Sequence, residues 1–226
     1  MVDKIVKYIH FLKSIDIFQF FYLNYFCKSV IRIDESKIIP YKNAVIDIAS
    51  SSKIYLGEGD IEIGCDLLRR SKSETKVRMR EQAIWISTGG CKISYGSTLE
   101  ILQNAVLDCK YFTMNSNSTL IAAKRITLGQ DVMIGRNVII YDSDYHQIVN
   151  ENGKIVNPSQ PVTIDNHVWL ATNVMVLKGV TIGAGSIIGA NVIVNRSISE
   201  NMILNVEYKL RQRENTGRWD RKKPSL

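Results

Sequence analysis

From Val162 to Val194 an aliphatic or small residue recurs at every sixth position, and a second series follows it two places behind. The first series reads Val162, Val168, Val174, Val180, Ser186, Val192, and the second Ile164, Leu170, Val176, Ile182, Ile188, Val194. A helix buries residues at a period of about 3.6 and a strand at a period of about 2, so neither alone sustains a beat of six. A chain wound into triangular coils does, with three short strands per coil and one inward pair on each side. The same phase holds upstream at Ile126/Leu128, Val132/Ile134 and Val138/Ile140, with Gly129, Gly135, Gly183 and Gly189 directly after an inward residue. It lapses after Ile140 and resumes at Val162, and the lapse contains Asp142-Ser143-Asp144-Tyr145-His146.

Between Tyr41 and Leu120 the alternation is of period two and unevenly spaced: Val45, Ile54/Leu56, Ile61/Ile63, Val77/Met79, Ile84/Ile86, Leu99/Ile101, Ala105/Leu107 and Leu120. Gly, Ser and Asn turns separate these segments, as strands with tight corners require. The uneven spacing predicts insertions between coils, such as Arg69 to Lys76. Residues 1–40 have helical spacing (Ile5, Tyr8, Ile9, Leu12) and little punctuation before Pro40. The expected class is an all-β solenoid with a helical amino-terminal segment. The expected layout is a helical cap over residues 1–40, a β-solenoid over 41–204 with an excursion at 141–161, and a basic tail over 205–226. Open solenoid ends need caps, and the first and last segments are placed to supply them.

The composition, 45% hydrophobic and 23% charged, excludes wholesale disorder. The net charge of +7 owes much to Arg211, Arg213, Arg218, Arg221, Lys222 and Lys223. Such a run serves equally as a solvated terminus or as a contact for phosphate or an acidic polymer. A nucleic-acid partner is not expected. The four cysteines, Cys27, Cys65, Cys91 and Cys109, show no CxxC pairing and no nearby histidine, so no metal site is expected. Scattered buried thiols fit a reducing compartment, and the expected location is cytoplasmic. The run from Ile15 to Ile31 is aromatic and apolar but is interrupted by Asp16, Gln19, Asn24 and Lys28, and is short for a spanning helix. It reads as a helix packed on the domain or on a neighbouring subunit. A membrane-surface contact through residues 15–31 is the lesser alternative.

The lapse in the beat is where chemistry is expected. Had the strand through Ile140 continued, residues 142, 144 and 146 would face inward. Two carboxylates and an imidazole would then enter an aliphatic core without partners, at high cost. The chain is therefore expected to turn outward, setting His146 on the rim of the solenoid. Long ordered loops carry function more often than not, and histidine is the natural base near neutral pH. Asp142 or Asp144 could orient the imidazole, or either could merely shape the turn. Trp169 is conspicuous because an otherwise aliphatic repeat has an indole at an outward phase. His167 reads as a surface corner residue, His10 as structural, and Asn115 and Asn117 as members of a corner asparagine ladder.

The stretch Ile126–Asn195 resembles the hexapeptide-repeat acyltransferases. The residues that carry the resemblance are Ile126-Thr127-Leu128-Gly129, Ile134-Gly135, His146, Val168-Trp169-Leu170-Ala171-Thr172-Asn173-Val174 and Leu177-Lys178-Gly179-Val180-Thr181-Ile182-Gly183. The run Asp142 to His146 and the ending Gly217-Arg218-Trp219-Asp220-Arg221 are similar to the branch that O-acetylates capsular and other surface polysaccharides. Ala171 stands where that family usually has glycine, and Asn205-Val206-Glu207-Tyr208-Lys209 where it has Gly-Asn-Pro-Ala-Lys. The resemblance implies a left-handed parallel β-helix, a homotrimer, acetyl-CoA as co-substrate and a sugar or polysaccharide acceptor. It implies His146 as general base, Trp169 beside it walling the substrate slot, and an oxyanion donor in the backbone near Ala171 or Thr172. Acetyl-CoA would meet Thr172, Ala190 and Asn195, with Lys209 and Arg211 near the nucleotide phosphates, and Lys178 is a further candidate there or a solvated corner lysine.

Two other activities fit the same pattern: N-acetylation of an amino sugar or antibiotic, and a non-catalytic solenoid scaffold. No GxGxxG precedes the repeat, which argues against the nucleotide-sugar variant with an amino-terminal nucleotide-binding unit. A zinc-dependent solenoid enzyme would need three ligating histidines, and His10, His146 and His167 are not placed to supply them.

Overall fold

The computed structural model describes residues 14–207. Twenty-two short strands, β1 to β22, run through them, and with the final β22 excepted every third one belongs to the same sheet. The first sheet stacks from β1 (Val30–Arg32) to β19 (Thr181–Ile182), the second from β2 (Ile38–Pro40) to β22 (Ile203–Leu204), and the third from β3 (Ala44–Ile48) to β21 (Ile193–Val194). All pairings between these strands are parallel. Three parallel sheets fed in strict rotation are the walls of a β-helix with triangular coils. The fold is the expected left-handed parallel β-helix.

The beat of six is the geometry of one side. Thr163 pairs with Thr181, Trp169 with Ile187 and Met175 with Ile193, each pair eighteen residues apart, so a coil is three sides of six. The aliphatic members of both series from Ile126 to Val194 are buried, and they form one continuous core cluster. Burial of each such side chain stabilises the fold by about 1.5–3 kcal/mol before the entropy of ordering is charged against it. Ser186, the one polar member, is also fully buried. Its hydroxyl donates to Ser199 O (2.9 Å) and accepts from Met202 N–H (3.1 Å), which is why a serine sits where valine otherwise would.

Upstream the structure corrects the phase in two places. Val45 is 46% exposed, and its neighbours Ala44 and Ile46 face the core instead. Ile84 and Ile86 lie half-buried on the outside while Trp85 and Ser87 are fully buried. The indole N–H of Trp85 meets Cys109 Sγ (3.3 Å), so the large ring is accommodated across coils rather than expelled. The expected insertion is a loop over residues 66–74, between β5 (Ile61–Cys65) and β6 (Thr75–Met79).

Helix α1 (Ile17–Phe21), capped by Asp16 on Gln19 N–H, runs into a wider turn over Tyr22–Phe26. Leu23 and Asn24 face the solenoid, and Asn24 accepts from Ile38 N–H and donates to Ile38 O. The solenoid therefore begins at Val30, within the segment expected to be wholly helical. Among the described residues no helix is long and apolar enough to cross a membrane. His10 and the tail from Tyr208 lie outside the described residues.

Candidate active site

The excursion begins after β15 (Ile139–Tyr141) and ends at β16 (Val162–Ile164). Across it the register is kept: Ile126 of β13 (Arg125–Leu128) pairs with Val162, and Met133 of β14 (Val132–Ile134) pairs with Trp169, thirty-six residues apart in each case. The loop thus adds one coil-length of chain without shifting the coils on either side.

Asp142 does not turn outward, contrary to the phase argument. It is fully buried, and its carboxylate accepts from the backbone N–H groups of Ala123 (2.6 Å), Lys124 (2.7 Å) and Arg125 (2.7 Å). Three donors at the corner of the preceding coil supply the partners that the sequence does not reveal, so the charge can stay inside. Asp142 is a corner anchor, and its carboxylate is directed away from any imidazole. Its carbonyl accepts from Gln160 N–H (2.9 Å), which closes the neck of the loop.

Beyond the neck, a tight turn carries His146. Its N–H donates to Asp144 O (2.7 Å), and Tyr145 between them takes a left-handed φ of 62° with its ring edge-on to Tyr141 at 5.8 Å. The His146 side chain is exposed and its ring has no hydrogen-bond partner among the described residues. Asp144 is the nearer carboxylate in sequence, yet it too faces elsewhere. It accepts from Asn157 Nδ2 (2.9 Å) and pairs with Lys178 Nζ. The Lys178 ammonium first, then Asn157, holds the Asp144 carboxyl below the usual carboxylate range. Burial, aided by Glu100, pushes the Tyr145 phenol up to about 12, so it remains a neutral donor.

Lys178 and Asn157 are the residues that sequence reasoning missed or undervalued. Lys178 also donates to Asn157 O (3.2 Å), and Asn157 Nδ2 reaches His146 O (2.8 Å). One lysine from the next coil therefore pins both limbs of the loop at the histidine. The register carries the signal: Ile140 pairs with Val176 at an offset of thirty-six, which sets Lys178 on the coil beyond the corner where the loop departs. A small hairpin, bridged at Val149 and Ile155, completes the loop. A cavity of about 320 Å³ lies under this turn, lined by Ser143, Asp144, Tyr145, His146 and Asn157, with Leu102 and Ala123 from earlier coils.

Trp169 is not beside His146 within the chain. It lies on β17 (Trp169–Leu170) in the second sheet, whereas the loop departs from the third. Its ring is 43% exposed and borders a separate cavity with Tyr111, Asp131 and His167. The Ala171 N–H donates to Ile188 O (2.9 Å) and is used by the coil ladder, so it is not an oxyanion donor as the fold stands. Thr172 and Ala190 are exposed at one stacked corner, where Asn191 N–H donates to Thr172 O (3.0 Å). Asn195 borders a third cavity, of about 340 Å³, with Arg196 and Glu207. Lys209 and Arg211 lie outside the described residues. Asn117 is a corner residue with φ 62°, while the asparagine contact that forms joins Asn173 to Asn191 (3.0 Å). Burial pushes the Cys65 and Cys109 thiols up to about 12, which makes them packing groups and not nucleophiles.

A family model described as bacterial transferase hexapeptide (six repeats) matches residues 161–196. The galactoside O-acetyltransferase of Escherichia coli (strain K12) is 36% identical over 112 residues, 49% of this chain and 51% of that protein. The polysialic acid O-acetyltransferase of Neisseria meningitidis is 42% identical over 69 residues, 30% of this chain and 32% of that protein. The chain thus spans half the length of the first of these relatives and a third of the second. Among solved structures, a hexapeptide-repeat acetyltransferase of Vibrio cholerae O1 biovar eltor in complex with acetyl coenzyme A is 23% identical, covering 50% of this chain and 58% of that one, with a TM-score of 0.37. The segment that the family model matches, residues 161–196, is the one in which three sides of six close each coil without interruption. Over that segment the chain is similar to the bacterial hexapeptide-repeat transferases.

Proposed function

We propose that the protein is an O-acetyltransferase that moves an acetyl group from acetyl-CoA to a sugar hydroxyl during assembly of a surface polysaccharide in the cytoplasm. The observation that carries this reading is His146. Among the described residues its ring is unpartnered, it lines the loop cavity, and the turn beneath it is fixed by Asp144, Asn157 and Lys178. The names of the relatives, a galactoside and a polysialic acid O-acetyltransferase, support a sugar acceptor.

In this reading His146 removes the proton as the sugar oxygen bonds to the thioester carbonyl carbon. The imidazolium then returns that proton to the departing sulfur as the carbon–sulfur bond breaks, which leaves an acetyl ester and free CoA. Since neither Asp142 nor Asp144 bonds the ring, orientation of the imidazole falls to the bound substrates or to a neighbouring subunit. A homotrimer supplies such a neighbour. Its coils would bring Trp169 of one copy toward the His146 cavity of the next, the proximity that a single chain lacks. The exposed corner at Thr172 and Ala190 offers a shallow groove for the pantetheine arm. Asn195 and Arg196 offer a donor and a guanidinium near its nucleotide end.

The test is His146→Ala, assayed by CoA release from acetyl-CoA with a panel of mono- and oligosaccharides. General-base loss should lower turnover by about 10²–10⁴-fold while circular dichroism and melting stay unchanged. Turnover close to the parent would remove His146 from the mechanism. Absence of any turnover or CoA binding in the parent would leave the scaffold reading in place.

A further inference from the structure

The exposed Trp169 has a histidine–carboxylate pair of its own. His167 Nδ1 lies 2.7 Å from Asp131 Oδ2. The two residues occupy stacked corners of successive coils, with left-handed φ of 54° and 61°, and His167 N–H donates to Gln130 O (2.7 Å). Backbone and side chain are thus both tied across the coils. The pair edges a cavity of about 380 Å³ whose wall includes Trp169, Tyr111, Met133 and Ile187. At the next corner up stands Gly185, with φ 70°, and the Asn201 side chain fills the space that a Cβ there would need.

We propose that Asp131, His167 and Trp169 form a recognition subsite for a neutral pyranose ring of the acceptor, a proposal that rests on the sugar-acetylating reading above. The contact to Asp131 uses Nδ1, which leaves His167 Nε2 and the second oxygen of Asp131 to meet a ligand. A ring nitrogen and a carboxylate oxygen suit two hydroxyls of one sugar, since a hydroxyl both donates and accepts. The indole suits the apolar C–H face of the same ring, with Tyr111 at its edge. A nearby carboxylate works against a phosphate or a sugar acid in the same place, so the subsite favours an uncharged ring over the nucleotide of CoA. These residues select and hold the acceptor, whereas the proposed proton transfer belongs to His146.

The test uses Asp131→Asn and His167→Asn in the full-length protein, because asparagine tolerates a left-handed backbone and both variants should keep the fold. Binding of methyl β-galactoside, methyl α-glucoside and N-acetylneuraminic acid is followed by saturation-transfer NMR, and acceptor kinetics by CoA release. Each variant should weaken a neutral glycoside by about tenfold, seen as a higher Kd and KM with kcat changed far less. Asp131→Asn should not weaken N-acetylneuraminic acid, since a like charge is removed. If both variants bind and use neutral glycosides as the parent does, while His146→Ala loses turnover, the subsite is wrong and the base assignment survives. If the parent binds none of the glycosides, the subsite falls. If CoA release is also stimulated by no sugar, the sugar-acetylating reading falls with it.

Discussion

At the scale of single residues, two polar side chains inside the solenoid decide more than their neighbours. Asp142 gives three backbone N–H groups a carboxylate acceptor, and its removal would leave all three without it at a partly buried corner. Asp142→Ala should therefore cost about 3–5 kcal/mol, read as a lowered denaturant midpoint, whether or not His146 is intact. Ser186→Val restores the aliphatic beat of the repeat, yet it should destabilise by about 1–3 kcal/mol. Met202 N–H would lose its acceptor, and the larger side chain would enter a space shaped for a hydroxyl. A Ser186→Val protein as stable as the parent would show that the hydroxyl contributes nothing to the coil. These residues mark the limit of the pattern. A beat says which positions face inward, but not whether a neighbouring coil offers donors, and those donors decide whether a charge stays in or turns out.

At the scale of elements, the loop over 142–161 is held by a clamp that outlying residues supply. Lys178→Met should leave the melting temperature within a few degrees, since an ion pair whose carboxylate is open to solvent contributes little to global stability, but it should lower kcat more than it raises the acceptor KM. Hydrogen exchange of residues 143–157 would report the loosened loop directly. The clamp is also acid-sensitive. The Asp144 carboxyl titrates below its ordinary value of 3.8 in the folded chain, so the clamp contributes above that value and is lost as pH falls through the lower folded one. Exchange protection of the loop should then hold from pH 8 down to about pH 4 and collapse only below it. The coils from β13 onward were legible in the sequence because each side repeats one residue pattern. Before β9 (Thr98–Ile101) the inward pairs Ile54/Leu56, Ile61/Ile63 and Val77/Met79 were legible too, but Val45 and Ile84/Ile86 were misplaced, because insertions such as 66–74 reset the count and Trp85 takes an inward place from Ile84 and Ile86. Within the site, His146 stood out by interrupting the beat. Lys178 and the Asp131–His167 pair did not, since the Asp144 and Asp131 carboxylates they meet stand thirty-four and thirty-six residues back in the chain.

At the scale of the whole molecule, the described chain presents apolar groups to solvent that one copy does not cover. Ile148, Val149 and Val156 on the loop hairpin are each more than half exposed, as are Ile193 and Ile203 near the last coil. The homotrimer proposed above would cover them, and if it forms, sedimentation equilibrium should give three times the chain mass at micromolar concentration. Val149→Asp with Val156→Asp should shift that equilibrium toward monomer and lower turnover together, while a monomeric parent would require each chain to act alone. The loop has one further consequence. Because it consumes one coil's worth of chain and returns in register, eighteen residues could be excised there with every later side still facing its old neighbour. Activity and architecture are therefore separately editable in this fold. A lineage could gain, exchange or discard the reactive excursion by a single insertion or deletion, and the column of aliphatic side chains beneath it would not record the event.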